Sequence, residues 1–140
     1  MLHRLRASVS LPKEGNPVTI KSFSHVNVRT SRLGEMVAWY GDVLGIRPGW
    51  RPDFGFGGAW LYVGNDPIIH LVEVDTELND SDPKIEHFAF DAHGMTEFRS
   101  NLDAKGVPYR IAKVPGTEIT QLNINDPDGN HIHVDFNGEG

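Results

Sequence analysis

Two periodicities take turns along this chain. Val18 to Val28 reads as a strand, with Val26 and Val28 alternating against His25, Asn27 and Arg29. The period then lengthens: Leu33, Met36, Val37, Tyr40 and Leu44 recur at helical spacing, with Thr30 or Ser31 placed to cap the helix and Gly45 to end it. Ala59 to Val63 and Ile68 to Val74 return to strand character around a Gly64-Asn65-Asp66-Pro67 turn. In the second of these, His70, Val72 and Val74 share one face and Ile69, Leu71 and Glu73 the other. Between Pro48 and Gly58 lies a stretch rich in glycine and aromatics, including Trp50, Phe54 and Phe56. It reads equally as a pocket lid or as a wide turn whose phenylalanines rest on the sheet.

The same order then starts again. Ile85 to Phe90 is a strand with His87, Ala89 and Asp91 on one face; Met95 to Lys105 is a helix striped by Met95, Phe98 and Leu102 and ended by Gly106. Val107 to Val114 and Thr117 to Asn125 are strands, and an Asp126-Pro127-Asp128-Gly129 turn leads into the last one. There Ile132, Val134 and Phe136 point one way while His131, His133 and Asp135 point the other. The spacings support a duplication: His25 to Gly45 is 20 residues and His87 to Gly106 is 19, while His25 to His70 is 45 and His87 to His133 is 46. Each half therefore carries one histidine in its first strand and one in its last, on the face away from its helix. A unit of this size used twice needs a neighbour to bury its open face. The predicted fold is α+β: two βαβββ modules forming a curved eight-stranded cup with helices on the convex faces. Residues 1–19 form a peripheral arm and residues 20–137 a single domain, with module 1 over 20–75, a solvated acidic linker, and module 2 over 84–137.

Composition narrows the function classes. The 140 residues suit one domain with a real core. A net charge of -6 without a basic block excludes a nucleic-acid footprint and attraction to anionic membranes. No apolar run reaches spanning length, and Arg4 and Arg6 are not followed by the apolar segment of a signal peptide. The absence of cysteine rules out disulfides, thiolate ligands and a cysteine nucleophile, and fits a cytoplasmic setting. Histidine is what stands out, at seven residues; His3 and His93 read as surface positions.

The paired modules, His25 in Ser-His-Val-Asn-Val, Trp39-Tyr40 followed by Val43-Leu44-Gly45, His87 in Glu-His-Phe-Ala-Phe, Gln121, and the Asp126-Pro127-Asp128-Gly129-Asn130 turn together resemble the vicinal oxygen chelate superfamily. That superfamily includes glyoxalase I, extradiol dioxygenases and the bleomycin and fosfomycin resistance proteins, and the likeness spans roughly residues 20–137. It implies a divalent metal ion (Zn, Fe, Ni or Mn) held at the homologous strand positions His25, His70, His87 and His133. The family's usual glutamate at the last position, which also serves as base, is histidine here, so the base must be another residue. Asp135, two residues beyond His133 on the same face, and Tyr62 are the candidates, with Asp91 behind them; Asp135 alternatively orients a ligand imidazole. Asn27, Trp60, Gln121, Asn123, His131, Phe54 and Phe56 are the expected substrate contacts.

Three or four neutral imidazoles leave a metal's positive charge uncompensated, which favours an anionic, chelating, small-molecule substrate. The expected activity is glyoxalase-like lyase or isomerase chemistry through an enolate-type intermediate. The alternatives are an extradiol-type ring-cleaving dioxygenase, and a metal-free drug-binding resistance protein using Trp50, Phe54, Phe56 and Trp60. A homodimer is expected, because the modules of relatives pair within one chain or across two.

Overall fold

Each half of the chain folds the same way for the same reason: a first strand lies parallel beside the last strand of its own module, and a parallel pair needs a long crossover. In the computed structural model, which describes residues 22–79 and 85–140, that crossover is a helix followed by a meander. Module 1 comprises β1 (Val26–Thr30), α1 (Leu33–Trp39), β2 (Arg47–Pro48), β3 (Gly58–Val63) and β4 (Asp66–Glu73). Module 2 comprises β5 (Phe88–Ala92), α2 (Met95–Ala104), β6 (Arg110–Lys113), β7 (Ile119–Asn125) and β8 (His131–Asn137). The strand orders are β1-β4-β3-β2 and β5-β8-β7-β6. Residues 1–19, expected as an arm, and residues 80–83 of the expected linker lie outside the described residues.

The eight strands form two four-stranded sheets, with β1 and β5 as edge strands that both border a cavity of about 830 Å³. Registers in the two modules correspond: Asn27 lies opposite His70 across β1 and β4, and Ala89 opposite His133 across β5 and β8. Alternation sets the core. Leu61, Ile69 and Leu71 are buried with Met36, Tyr40 and Val43 on the helix side of sheet 1, and Leu122, Val134 and Phe136 with Met95 and Leu102 on that of sheet 2. Val26, Val28, Phe88 and Phe90 pack partly buried against this core.

Element boundaries depart from the sequence expectations in three instructive places. His25 and His87 stand one residue ahead of β1 and β5 rather than inside them. The first helix begins after Arg32, whose side chain makes no cap bond; Thr30 Oγ1 instead accepts the Arg32 N–H at 2.9 Å, closing the turn that precedes the helix. Its last turn, Tyr40–Leu44, widens to a π-turn and then ends at Gly45 in the left-handed region, φ 70°. At the other helix the cap is remote. The Glu139 carboxylate accepts the Gly94 and Met95 N–H groups at 2.8–3.2 Å, so the C-terminal segment supplies the acceptor that no local side chain provides.

The π-turn places Tyr40 where it joins the two modules. Its fully buried hydroxyl donates to Asp126 Oδ2 at 2.7 Å, across the module boundary. The same carboxylate accepts the N–H groups of Asp128 and Asn130 on Oδ1, both at 2.9 Å, and the Asn130 side-chain amide on Oδ2 at 2.8 Å. These bonds explain the Asp-Pro-Asp-Gly-Asn turn: Asp126 organises it, and Gly129 takes the positive φ of 86° that it requires. Burial raises the Tyr40 pKa well above the ordinary tyrosine value, with the Asp126 charge adding to it.

Tyr40→Phe, which keeps the ring and removes only the hydroxyl, is expected to lower unfolding free energy by about 1–3 kcal/mol in urea titration. Asp126→Ala, which strands several donors, is expected to cost more. Equal stabilities of the wild type and both variants would show that this bond does not join the modules.

Candidate functional site

Strand alternation delivers the site. In β8, Ile132, Val134 and Phe136 are buried in the core, while His131, His133 and Asp135 stand half-buried on the opposite, open face. The parallel neighbour places His87 beside them, and the repeat builds the same arrangement in module 1. The His87 and His133 rings stack at 4.0 Å and 17°, and His25 and His70 at 3.8 Å and 10°.

The modules then diverge. In module 1, His70 is sandwiched between His25 and Trp60, whose ring centroid lies 4.1 Å away, and its Nε2–H donates to the Pro67 carbonyl at 3.0 Å. Burial lowers the His70 pKa from the ordinary histidine value, and the neighbouring His25 lowers it further. The stack continues outward: Phe54 lies 6.1 Å from Trp60 and 5.5 Å from Phe56, and the Arg51 guanidinium sits 4.9 and 5.3 Å from the two phenylalanine centroids. The glycine-rich stretch is thus an aromatic wall beside the histidine pair, with Phe54 and Phe56 about half exposed.

In module 2 a third histidine joins. His131 lies 4.8 Å from His133 and 5.4 Å from His87, and one nitrogen from each of the three rings falls within 4.8 Å of the others. Zinc bound tetrahedrally at about 2.1 Å to nitrogen holds its donors about 3.4 Å apart, closer than this set, and both nitrogens of His131 are hydrogen-bonded, to Glu86 and to Asn123, so ligation by His131 requires one of those bonds to open. Burial lowers the His133 pKa, followed by the effects of His87 and His131, which favours the neutral imidazole that can ligate. An all-nitrogen set with a nearby carboxylate suits zinc, iron, nickel or copper. The residues therefore fit a divalent metal.

The sequence-predicted residues fall as follows. Of the four expected ligand positions, His87 and His133 meet, joined by His131, while His25 and His70 form their own stack with Trp60. Asp135 is half-buried, and its Oδ1 is buried without a hydrogen-bond partner among the described residues. Burial raises its pKa and Asp91, opposite it in register, raises it further, while Gln121, also opposite, counters the rise. Asn123 is buried; its amide donates to the Arg110 carbonyl at 3.2 Å, which turns Oδ1 toward His131 Nε2 at 2.9 Å. Asn27 is exposed on β1 and lines the cavity. The Tyr62 hydroxyl donates to the Trp50 carbonyl at 2.7 Å, beyond a register shift between Leu61 and Tyr62, and so braces the aromatic loop.

Glu86 is the residue that sequence reasoning missed. One oxygen accepts from His87 Nδ1, the other from His131 Nδ1 at 3.0 Å. In a strand, neighbours point to opposite faces, so alternation places Glu86 away from His87. Both residues precede β5, where that rule no longer applies. The adjacent Glu-His pair was the available signal.

The pattern of the Glyoxalase/Bleomycin resistance protein/Dioxygenase superfamily matches residues 22–134. The chain belongs to that superfamily. It is 34% identical over 128 residues to the Arabidopsis thaliana protein Glyoxylase I 4, covering 86% of this chain and 73% of that one. Among solved structures, a glyoxalase family protein from Bacillus anthracis superposes with a TM-score of 0.73 at 26% identity, over 87% of this chain and 99% of that chain. The trypanothione-dependent glyoxalase I of Leishmania major shares the fold, with a TM-score of 0.68 at 18% identity over 85% and 88% of the two chains. The paired βαβββ architecture that the resemblance implied is therefore this superfamily's own. Among the described residues no helix is long and apolar enough to cross a membrane.

The Trp60–His70 stack is open to a direct test. In a protein carrying Trp39→Phe and Trp50→Phe, Trp60 emission should be quenched as His70 gains its proton. Because the His70 pKa is lowered, the midpoint should lie below the ordinary histidine value of about 6.5. A midpoint at or above that value would contradict the buried stack.

Proposed function

We propose that this superfamily member is a metal-dependent lyase or isomerase that moves a proton on a small, oxygenated, metal-chelating substrate. The observation that carries the reading is the convergence of three histidine nitrogens within 4.8 Å on the same sheet face as the half-buried Asp135. A divalent ion held there supplies Lewis acidity toward a substrate oxygen. The rest of the chemistry belongs to the chain. Asp135, half-buried on the open face and with Oδ1 making no hydrogen bond among the described residues, is the proton acceptor: the C–H bond beside the substrate carbonyl breaks, the electron pair stays on the substrate, and the proton goes to the carboxylate. Returning that proton to a neighbouring carbon makes the reaction an isomerisation. Gln121 lies opposite Asp135 on the adjacent strand, on the same open face. Trp60, Phe54 and Phe56 with Arg51 form an apolar wall with one cation, suited to a substrate bearing a hydrophobic part and an acidic group.

We further infer a homodimer as the working unit. Edge strands β1 and β5 both border the cavity, and a sheet edge of this kind is ordinarily covered by a partner or by charge.

Metal analysis of freshly purified protein, followed by deuterium exchange into 2-oxoaldehyde adducts and acyl-CoA thioesters in D2O, tests the reading. About one metal ion per chain should be retained, and its removal by chelator should abolish exchange. Asp135→Asn should lower the exchange rate by about 10²–10⁴-fold while leaving metal content unchanged. Exchange that survives Asp135→Asn undiminished would assign the base to another group, and a wild-type protein that takes up no metal would overturn the metal-dependent reading.

A further inference from the structure

We propose that Arg51, in the aromatic loop between β2 and β3, anchors a carboxylate of the substrate, and that the substrate class is a flat aromatic acid whose ring lies against Trp50, Phe54 and Phe56. This rests on the open sheet face being the substrate site, as proposed above, and names the class of molecule it takes.

The loop is built rather than loose. At its start the Gly49 N–H donates to the Trp60 carbonyl at 3.0 Å, and the Tyr62 hydroxyl donates to the Trp50 carbonyl at 2.7 Å. At its end the Glu73 N–H donates to the Gly57 carbonyl at 2.9 Å. Between these ties the Gly55 N–H donates to Asp53 Oδ1 at 3.0 Å, closing the tip. The backbone is held, yet Trp50, Phe54 and Phe56 remain 71, 48 and 51% exposed. Their arrangement is that of a platform: Phe54 and Phe56 stack at 20°, and Trp50 meets Trp60 edge-on at 86°. Large rings fixed in water stay unfavourably hydrated until an apolar surface covers them.

Arg51 decides which surface that is. Its guanidinium sits 4.9 and 5.3 Å from the Phe54 and Phe56 centroids, and its Nη2 donates to the Phe56 carbonyl at 3.1 Å. Gly58 makes the room: a Cβ there would lie 2.8 Å from Arg51 Nη2 and 2.3 Å from the Leu71 carbonyl oxygen. The charge so placed has no counterion. Among the described residues no carboxylate pairs with Arg51, and its Nε is buried without an acceptor. The Phe56 carbonyl occupies only one of the five N–H bonds that a guanidinium offers. A carboxylate matches the rest of that planar fork and cancels the charge. A neutral aromatic would cover the rings and leave the cation unpaired, and an amine would be repelled. Because the guanidinium stands about 5 Å from both rings, the acid must lie only a few bonds from the ligand's own ring.

Calorimetric titration of the full chain with 2-naphthylacetate and with its uncharged amide, both in excess chelator, tests the assignment without turnover. The wild type should favour the acid over the amide by about 10–100-fold, the range for a hydrogen bond to a charged group. That preference should shrink as salt is raised. Arg51→Gln should erase it while binding the amide within about twofold of the wild type, and Arg51→Lys should keep part of it. Phe54→Ala should weaken acid and amide alike. If Arg51→Gln weakens both probes equally, Arg51 only braces the loop and the proposal is overturned. It is also overturned if the wild type binds acid and amide with equal affinity or binds neither. A tryptophan emission that shifts with protein concentration in the absence of probe would overturn it too, by assigning the wall to a second copy of the chain. If the acid preference fails while metal-dependent deuterium exchange persists, the substrate class falls alone. If the preference holds while metal uptake and exchange fail, the proton-transfer reading falls and the acid-binding wall stands.

Discussion

The hydroxyl of Tyr40 and the carboxylate of Asp126 meet at 2.7 Å in the interior, and the relation between the two halves of this protein depends on that meeting. Each module has its own sheet, helix and share of the core, and no strand ladder joins the sheets among the described residues. They are joined instead by shared core packing, by the Arg32–Asp128 ion pair at 3.6 Å, and by a side chain from the wide last turn of the first helix, inserted against the turn that launches the last strand. A buried carboxylate loses its hydration, and here four donors replace it. Three are local, and shape the turn; the fourth comes from the other module. The turn that delivers His131 and His133 onto the sheet is thereby held in place by the helix of the opposite half.

That coupling gives the duplicated architecture a division of labour. Both modules stack two histidines on their open faces, but the surroundings differ in chemical character. Module 1 surrounds its pair with Trp60, Phe54, Phe56 and Arg51, a wall fit for the body of a ligand. Module 2 surrounds its pair with His131, Glu86, Asn123 and Asp135, groups that hold ions and accept protons. A duplicated unit begins with two equivalent faces, and here side chains one and two residues away from the repeated histidines have made one face apolar and the other ionic. The likeness to Glyoxylase I 4 and to the Bacillus anthracis structure extends over both halves.

Much of this was legible in the chain as a string. Strand alternation in Ile132, Val134 and Phe136 against His131, His133 and Asp135, the helical stripe from Leu33 to Leu44, and the 45- and 46-residue histidine spacings suffice for the two βαβββ modules and for the face each histidine occupies. Those features are local: they depend on backbone periods and on which side chains avoid water. Gly45 and Gly129 were legible for a similar reason, since the left-handed backbone they adopt disfavours a side chain.

Tertiary structure decided everything that depends on residues distant in sequence or on backbone outside regular elements. It placed Glu86 between His87 and His131, because the segment before β5 does not alternate. It brought Glu139 to the start of the second helix and Tyr40 to Asp126, contacts across 44 and 86 residues that no local pattern encodes. It also divided the histidines into a pair and a trio. The sequence determined which residues face outward from each sheet, because burial of their neighbours leaves no other choice. Which of them share a centre was settled only by how the folded strands and their flanking segments converge.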